Sequence, residues 1–180
     1  VALDQAVKFL VRAHIPLGGS LPVLPGVLDL TYVQNTGAAF SLFSEHTWLL
    51  TLISLVMSLL LLIALVRGFF RHPFGRISLA LLLAGAVGNL IDRAFQGYVV
   101  DMFHVLFMEF AVFNVADICV VVGGIAAAVY YMWGYERLEK GLPAHAPLYE
   151  EVFDLSKNVM LAAGVEIAPK RASFESTGCL

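Results

Sequence analysis

Three long apolar stretches dominate the pattern of hydrophobic and polar positions along this chain. The first runs from Thr47 to Val66 and contains no charged residue. The others run from Ile77 to about Phe95 and from Val112 to Trp133, and their charged residues lie near one end. A helix needs about 20 apolar residues to cross the roughly 30 Å hydrocarbon core of a bilayer. The pattern therefore predicts three membrane-spanning helices.

The residues from Val1 to His14 are predicted to form the last part of a further membrane-spanning helix, the first in chain order. At a rise of 1.5 Å per residue this segment covers only about 21 Å, which is less than the bilayer core. We therefore expect this helix to begin before Val1. Residues 1–140 are then predicted to form a four-helix membrane domain, and residues 141–180 a C-terminal tail.

Period-two alternation indicates a second kind of structure between the apolar stretches. Three apolar residues, Leu28, Leu30 and Tyr32, alternate with polar ones, as expected for a half-buried strand. Residues 35–37 are typical of a turn, and residues 98–103 are a second strand candidate. The predicted fold class is an all-α membrane protein with four transmembrane helices and a small β-platform.

Composition agrees with a membrane protein. Of the 180 residues, 59% are hydrophobic and 14% charged, and the mean hydropathy is +0.83. A soluble domain has about 45–50% apolar and about 25% charged residues. The net charge of −3 gives no indication of a nucleic-acid partner. The two cysteines, Cys119 and Cys179, have neither a metal-ligand spacing nor a disulfide framework around them.

Basic residues set the predicted orientation. Arg67, Arg71 and Arg76 crowd the connection between the first two apolar stretches, and Arg137 and Lys140 follow the third. An excess of Lys and Arg marks the cytoplasmic side of a membrane protein. The segments with the strand candidates are then predicted to lie outside the cytoplasm, which makes the β-platform extracytoplasmic, and the tail to lie inside.

A polar cluster is predicted at this outer face. Its members are Asn89, Asp92, Arg93, Asp101, Asn114 and Asp117. Ionisable residues at membrane depth are rare and usually face a cavity, a partner or a site. Two carboxylates that meet in a partly desolvated cleft share one proton and can activate a water molecule. Asp101 and Asp117 are the predicted pair, which favours an intramembrane aspartic peptidase without a metal or cofactor.

Other polar pairs have a structural and a functional interpretation. Asp4 and Lys8 are four residues apart, which favours an ion pair on one helix face. Asp92 and Arg93 are either an ion pair of the scaffold or a ligand for a substrate backbone. Gly85 lies on the same predicted helix face as Asn89, the polar residue one turn further on.

Five short stretches stand out along the chain, in this order: Asp4-Gln5 with Lys8, QNTGAAFS from Gln34 to Ser41, GNLIDR from Gly88 to Arg93, VVDM from Val99 to Met102, and FNVAD from Phe113 to Asp117. Together they resemble the bacterial lipoprotein signal peptidases, also called signal peptidase II. Each stretch alone is a weak signal, whereas the ordered set is specific. Two features depart from the family pattern: Met102 stands where Phe is usual, and the chain lacks a full first span and carries a tail beyond Lys140 that the resemblance does not cover.

The resemblance implies an activity and a set of site residues. Asp101 and Asp117 would be the catalytic pair of an aspartic endopeptidase in the bacterial cytoplasmic (inner) membrane. Its substrate would be a diacylglyceryl-modified prolipoprotein, cut just before the lipidated cysteine, and membrane lipid would surround the site. Residues implied to bind substrate or support the pair are Asn35, Gly85, Asn89, Asp92, Arg93, Asn114, Asp4 and Lys8.

Two alternatives remain at this stage. Intramembrane acids also serve proton relays, and Gly123-Gly124 with Ala127-Ala128 offers a small-residue surface for helix pairing, so a small proton- or ion-coupled transporter is the main alternative. A serine or metallopeptidase would have to use Ser41 or Ser44 with a nearby histidine, or pair Asp101 with His104, and no second ligand cluster favours it.

Overall fold

The computed structural model describes residues 1–37 and 47–139. The helices are α1 (Ala2–His14), α2 (Thr47–Val66), α3 (Pro73–Gln96), α4 (Val115–Val129) and α5 (Tyr135–Glu139), with a π-helical turn (Tyr130–Gly134) between the last two. The strands are β1 (Ser20–Leu24), β2 (Leu28–Asn35) and β3 (Val99–Val105). The last residues of the QNTGAAFS stretch and the predicted tail lie outside the described residues.

Three helices among the described residues are long and apolar enough to cross a membrane. They are Thr47–Val66, Pro73–Gln96 and Val115–Leu138, with mean hydropathies of 2.9, 1.7 and 1.9. The three apolar stretches of the sequence are therefore confirmed as helices. Helix α1 has 13 residues, fewer than a span requires, so the fourth membrane-spanning helix stays a prediction.

Helix α3 leads directly into the strand that carries Asp101. It begins with Pro73 in its first turn, and the His72 side chain accepts a hydrogen bond from the amide of Phe74. It ends at Gly97, whose φ of 77° is the left-handed conformation that glycine adopts readily. Because the helix ends so abruptly, strand β3 can begin at Val99, two residues after Gly97.

Helices α3 and α4 approach each other unusually closely, because glycines lie at their contact. A Cβ atom built on Gly85 would lie 2.4 Å from the carbonyl oxygen of Ala116. A Cβ atom on Gly123 would lie 2.8 Å from the backbone nitrogen of Leu82. Gly123 therefore serves packing within this chain, and the neighbouring Gly124 has more room, with Leu82 Cδ2 at 3.8 Å.

The three strands form an antiparallel sheet in the order β1-β2-β3, here called the platform. Its buried core combines the sheet with helix α1 and consists of Val11, Ile15, Tyr32, Val100 and Met102. The two strand candidates are confirmed as β2 and β3, and both are longer than predicted. Met102 is fully buried in this core, where a flexible thioether can fill the space of a larger apolar residue.

Candidate active site

Asp101 lies in the middle of β3, opposite Val33 of β2, and is buried. The two strands differ in what they supply: β3 carries the carboxylate, and the end of β2 carries an amide donor. Asn35 Nδ2 donates to Asp101 Oδ2 at 2.9 Å. Asn114 Nδ2 donates to Asp101 Oδ1 at 2.7 Å. Both oxygens of this carboxylate are thus held by neutral donors.

Asp117 lies in the first turn of α4 and takes part in a capping box with Asn114. The backbone nitrogen of Asn114 donates to Asp117 Oδ2 at 3.1 Å, and the nitrogen of Asp117 donates to Asn114 Oδ1 at 2.9 Å. Asn89 Nδ2 of helix α3 donates to Asp117 Oδ1 at 2.8 Å. Capping accounts for the local geometry of Asp117, since helix N-termini favour acceptors and negative charge.

Asn114 therefore connects the two aspartates, which we call the dyad. Its side-chain nitrogen holds Asp101, and its backbone nitrogen holds Asp117. All four carboxylate oxygens of the dyad accept a hydrogen bond from an amide. This arrangement fixes the orientation of both carboxylates without adding a positive charge to either.

The pKa of Asp101 is raised to about 6. Burial is the main cause, the negative charge of Asp117 adds to it, and the hydrogen bonds from Asn35 and Asn114 act in the opposite direction. A carboxyl group with such a pKa can exchange protons near neutral pH, as general acid–base catalysis requires.

A second group of charges, the Lys8 cluster (Asp4, Lys8 and Asp92), lies beside the dyad. Lys8 Nζ is 3.0 Å from Asp4 Oδ2 and 2.9 Å from Asp92 Oδ2, and all three residues are at most 2% exposed. Lys8 Nζ also donates to Asn89 Oδ1 at 3.0 Å. Because Asn89 Oδ1 accepts from Lys8 and from Asn114 at 3.1 Å, the amide nitrogen of Asn89 must face Asp117.

The Lys8 cluster also ties three elements together through backbone bonds. Asp4 Oδ1 of helix α1 accepts from the nitrogen of Ala116 in α4 at 2.9 Å. Asp92 Oδ2 of α3 accepts from the nitrogen of Val100 in β3 at 3.1 Å. Asp92 thus contacts Lys8 and the strand, and among the described residues it forms no ion pair with Arg93.

Two residues of this region were missed as site residues by sequence reasoning. Gln5 Nε2 donates to Asp92 Oδ1 at 3.0 Å and to the carbonyl of Gly88 at 3.1 Å. A Cβ atom on Gly88 would lie only 2.7 Å from Asp4 Oδ2, so this position leaves room for the Asp4 carboxylate. The signals available were the position of Gln5 beside Asp4 and the three-residue spacing of Gly85 and Gly88.

Gly85 and Arg93 have different surroundings from the rest of the predicted set. Gly85 is buried against α4, and its role there is close helix packing. Arg93 is partly exposed, and its Nη2 donates to the carbonyl of Gly37 at 3.4 Å. Its Nε is buried and has no hydrogen-bond partner among the described residues.

Two cavities open beside the dyad. The helix cavity, about 500 Å³, is bordered by both aspartates, Arg93 and the apolar α4 residues Ile118, Val121 and Val122. The sheet cavity, about 940 Å³, is bordered by Asp101, residues 33–36 at the end of β2 and just after it, and the segment 104–112.

The alternative nucleophiles considered from the sequence were Ser41 and Ser44. Ser41, Ser44 and His46 lie outside the described residues. Within residues 1–37 and 47–139, no group of three or more His, Cys, Asp or Glu side chains is arranged to hold a metal ion.

Comparison with known proteins identifies a family model and several relatives that match most of this chain. The family model described as Signal peptidase (SPase) II matches residues 1–133. Two proteins named lipoprotein signal peptidase, from Streptococcus pyogenes serotypes M2 (strain MGAS10270) and M5 (strain Manfredo), are 40% and 39% identical over 136 residues. Each alignment covers 76% of this chain and 89% of the relative.

Solved structures show the same fold. Two structures, described as a bacterial membrane enzyme by the in meso method at 2.3 Å and 1.9 Å resolution, have TM-scores of 0.65 and 0.62 and identities of 29% and 30%. The likeness covers 79% and 74% of this chain, and 87% of each solved chain.

Proposed function

The chain belongs to the signal peptidase II family and is a peptidase, and we propose that it removes signal peptides from diacylglyceryl-modified prolipoproteins. In this proposal it cleaves the peptide bond just before the lipidated cysteine with a water molecule activated by Asp101 and Asp117. Membership of a peptidase family sets the transporter alternative aside.

The observation that carries the proposal is that Asn114 donates one hydrogen bond to each of the two aspartates. A carboxylate pair fixed in this way, with the pKa of Asp101 raised to about 6, suits a shared proton near neutral pH. The ionised carboxylate takes a proton from water, which attacks the scissile carbonyl carbon. The protonated carboxyl donates its proton to the carbonyl oxygen, giving a neutral tetrahedral diol.

Collapse of this diol completes the hydrolysis. One hydroxyl of the diol gives its proton to the ionised carboxylate as the carbonyl re-forms, the C–N bond breaks, and the nitrogen of the cysteine leaves with the proton of the other carboxyl. The signal peptide is released as a carboxylic acid that ionises in solvent, and the dyad again holds one proton. No covalent intermediate between enzyme and substrate is required.

The surrounding residues support distinct parts of this chemistry. Asn35, Asn89 and Asn114 orient the carboxylates by the hydrogen bonds described above. The Lys8 cluster orients Asn89 and fixes α1 against α3 and α4. Gly85 allows the close approach of α4, and Arg93, with its unpaired Nε beside the helix cavity, binds a carbonyl oxygen of the substrate.

The proposed location is the bacterial cytoplasmic membrane, with the site at its outer face. Support comes from the basic residues of the α2–α3 connection, at the opposite ends of these helices from the dyad. The helix cavity lies along exposed apolar residues of α4, Val121 and Val122. A signal peptide, itself an apolar helix, can enter there laterally from the bilayer.

The direct test is cleavage of a diacylglyceryl prolipoprotein by the purified protein in detergent. The expected product is a signal peptide that ends before the cysteine, formed only when the cysteine carries the lipid. Cleavage at another bond, or equal cleavage without the lipid, would contradict the proposal.

A further inference from the structure

The two cavities beside the dyad share one wall. The residues common to both are Asn35, Asp101, Phe110, Ala111 and Val112. A substrate whose scissile bond lies at Asp101 can therefore extend into the helix cavity on one side and into the sheet cavity on the other.

The walls of the two cavities differ in chemistry. Beyond the shared wall, the helix cavity continues along the membrane-spanning helix α4 with Ile118, Val121 and Val122. The sheet cavity is bordered by the platform and the segment that follows β3, and its polar residues include Gln34, His104 and Glu109. One cavity thus offers an apolar surface within the membrane, and the other a mixed surface outside the spanning segments.

We infer that the sheet cavity binds the first residues of the mature lipoprotein, those that follow the lipidated cysteine, and that Glu109 favours a basic side chain among them. The inference rests on the proposed function. A signal peptide and two acyl chains require the apolar surface, whereas the mature chain is the part of the substrate that leaves the membrane. The sheet cavity is the surface that suits it.

The length of the sheet cavity sets how many residues it can contact. From Asp101 to Val105, strand β3 advances about 13 Å at the usual rise of about 3.3 Å per residue. An extended substrate chain that follows this strand covers the distance with about four residues. The free edge of β3 is already bonded to Phe113 near Phe103, so the substrate lies over the face of the sheet.

Charge determines which side chains this cavity prefers. Besides Asp101, the ionisable residues that border it are His104 and Glu109, and no Lys or Arg is among its described lining residues. Glu109 is exposed, so its attraction for a basic side chain is that of a surface ion pair. This corresponds to a preference of about two- to fivefold, and screening by salt removes it.

The experiment compares four lipopeptides that are identical up to and including the diacylglyceryl cysteine. Three continue with four residues that contain two Lys, two Ser or two Glu, and the fourth ends in an amide directly after the cysteine. The enzymes are the wild type, Glu109→Lys, and the control Glu136→Lys, which makes the same charge change at an exposed residue of α5 that does not border the sheet cavity.

We expect the wild type and Glu136→Lys to cleave the Lys peptide with a kcat/KM about two- to fivefold above that of the Glu peptide at low salt. Glu109→Lys reverses this order, and the amide-ended peptide has a raised KM with all three enzymes. Equal kcat/KM for all four peptides, or the same preference in Glu109→Lys as in the wild type, overturns the inference while leaving the proposed function intact. Failure to cleave any of the peptides contradicts the proposed function, and the inference with it.

Discussion

Two carboxylate pairs lie side by side in this protein, and their charges are compensated in different ways. Asp4 and Asp92 contact the ammonium group of Lys8 at 3.0 and 2.9 Å. Asp101 and Asp117 accept hydrogen bonds from amide groups, and among the described residues they form no salt bridge. The Lys8 cluster fastens helices and a strand to each other, whereas the buried dyad has no cation of the described residues within salt-bridge distance.

The difference teaches how one residue type serves two purposes at nearly the same depth. A buried carboxylate next to an ammonium group is a structural element, because removing either partner leaves a charge without compensation. A carboxylate fixed by neutral amides keeps its orientation, and the remaining unfavourable charge is relieved by taking up a proton. Asn89 joins the two regions, since it contacts Lys8 and Asp117.

The largest expected effect is on catalysis. Asp101→Asn and Asp117→Asn each remove the proton transfer of one partner, so we expect kcat to fall at least about a thousandfold, as general acid–base chemistry predicts. The amide side chain keeps the size of the carboxyl group, so both variants should still fold in detergent and unfold cooperatively. Turnover near the wild-type rate by either variant removes that aspartate from the mechanism.

For the Lys8 cluster we expect a substitution to reduce the stability of the protein, whereas substitutions in the dyad reduce catalysis. Lys8→Met leaves Asp4 and Asp92 buried without a cation, and we expect a loss of about 3–5 kcal/mol in the free energy of unfolding. Arg12→Met is the control on the same helix, because Arg12 is exposed and bonds to Gln96 at the surface. Its loss should be below about 1 kcal/mol. Similar unfolding midpoints for the two variants would contradict the assignment of Lys8 as a structural cation.

Much of the fold could be predicted from the sequence because lipid imposes a simple pattern. Helix α2 has the predicted bounds, since its 20 residues form one predominantly apolar stretch without a charged side chain. Helix α3 begins at Pro73, earlier than predicted, because proline fits the first helical turn. Strand β1 was missed, because Ser20–Leu24 is exposed at every position and contains Pro22, so no alternation indicates it.

The site was harder to predict in detail than the fold. The sequence predicted that Asn89, Asp92, Asn114 and Asp117 belong to one polar cluster, but it did not predict which of their atoms are hydrogen-bonded. The bond from Gln5 to Gly88 joins residues 83 positions apart, and no local pattern carries that information. The partner of Asp92 is likewise Lys8 of another helix, which neither interpretation of Asp92 with Arg93 included.

A series of unfolding experiments at different pH values tests the environment of Asp101 through the sign of its effect on stability. Because the pKa of Asp101 is raised to about 6 in the folded protein and is about 3.9 when unfolded, the folded state binds this proton more tightly. Its contribution to stability is therefore fully present below about pH 4 and is lost as the pH rises through about 6.

Asp101→Asn removes this loss. We expect the stability of the variant relative to the wild type to increase between pH 4 and pH 7, by up to about 3 kcal/mol. The thermal unfolding midpoints of both proteins across this range measure the difference. A constant difference, or one that decreases with pH, would show that the Asp101 carboxyl is not held in the environment described here.

The smallest expected effect concerns the close contact between α3 and α4, which keeps the Lys8 cluster next to the dyad. Gly85→Ala places a Cβ atom against the carbonyl of Ala116 and pushes α4 from α3, so we expect a loss of about 1–3 kcal/mol in stability. The same shift moves Asp117 away from Asn89, and kcat should fall with it. Gly124→Ala is the matched control, because its Cβ would have ordinary contact at 3.8 Å and alanine favours a helix by up to about 1 kcal/mol. If both variants unfold at the same temperature and cleave the lipopeptide equally fast, the close approach of α3 and α4 is not what aligns the Lys8 cluster with the dyad.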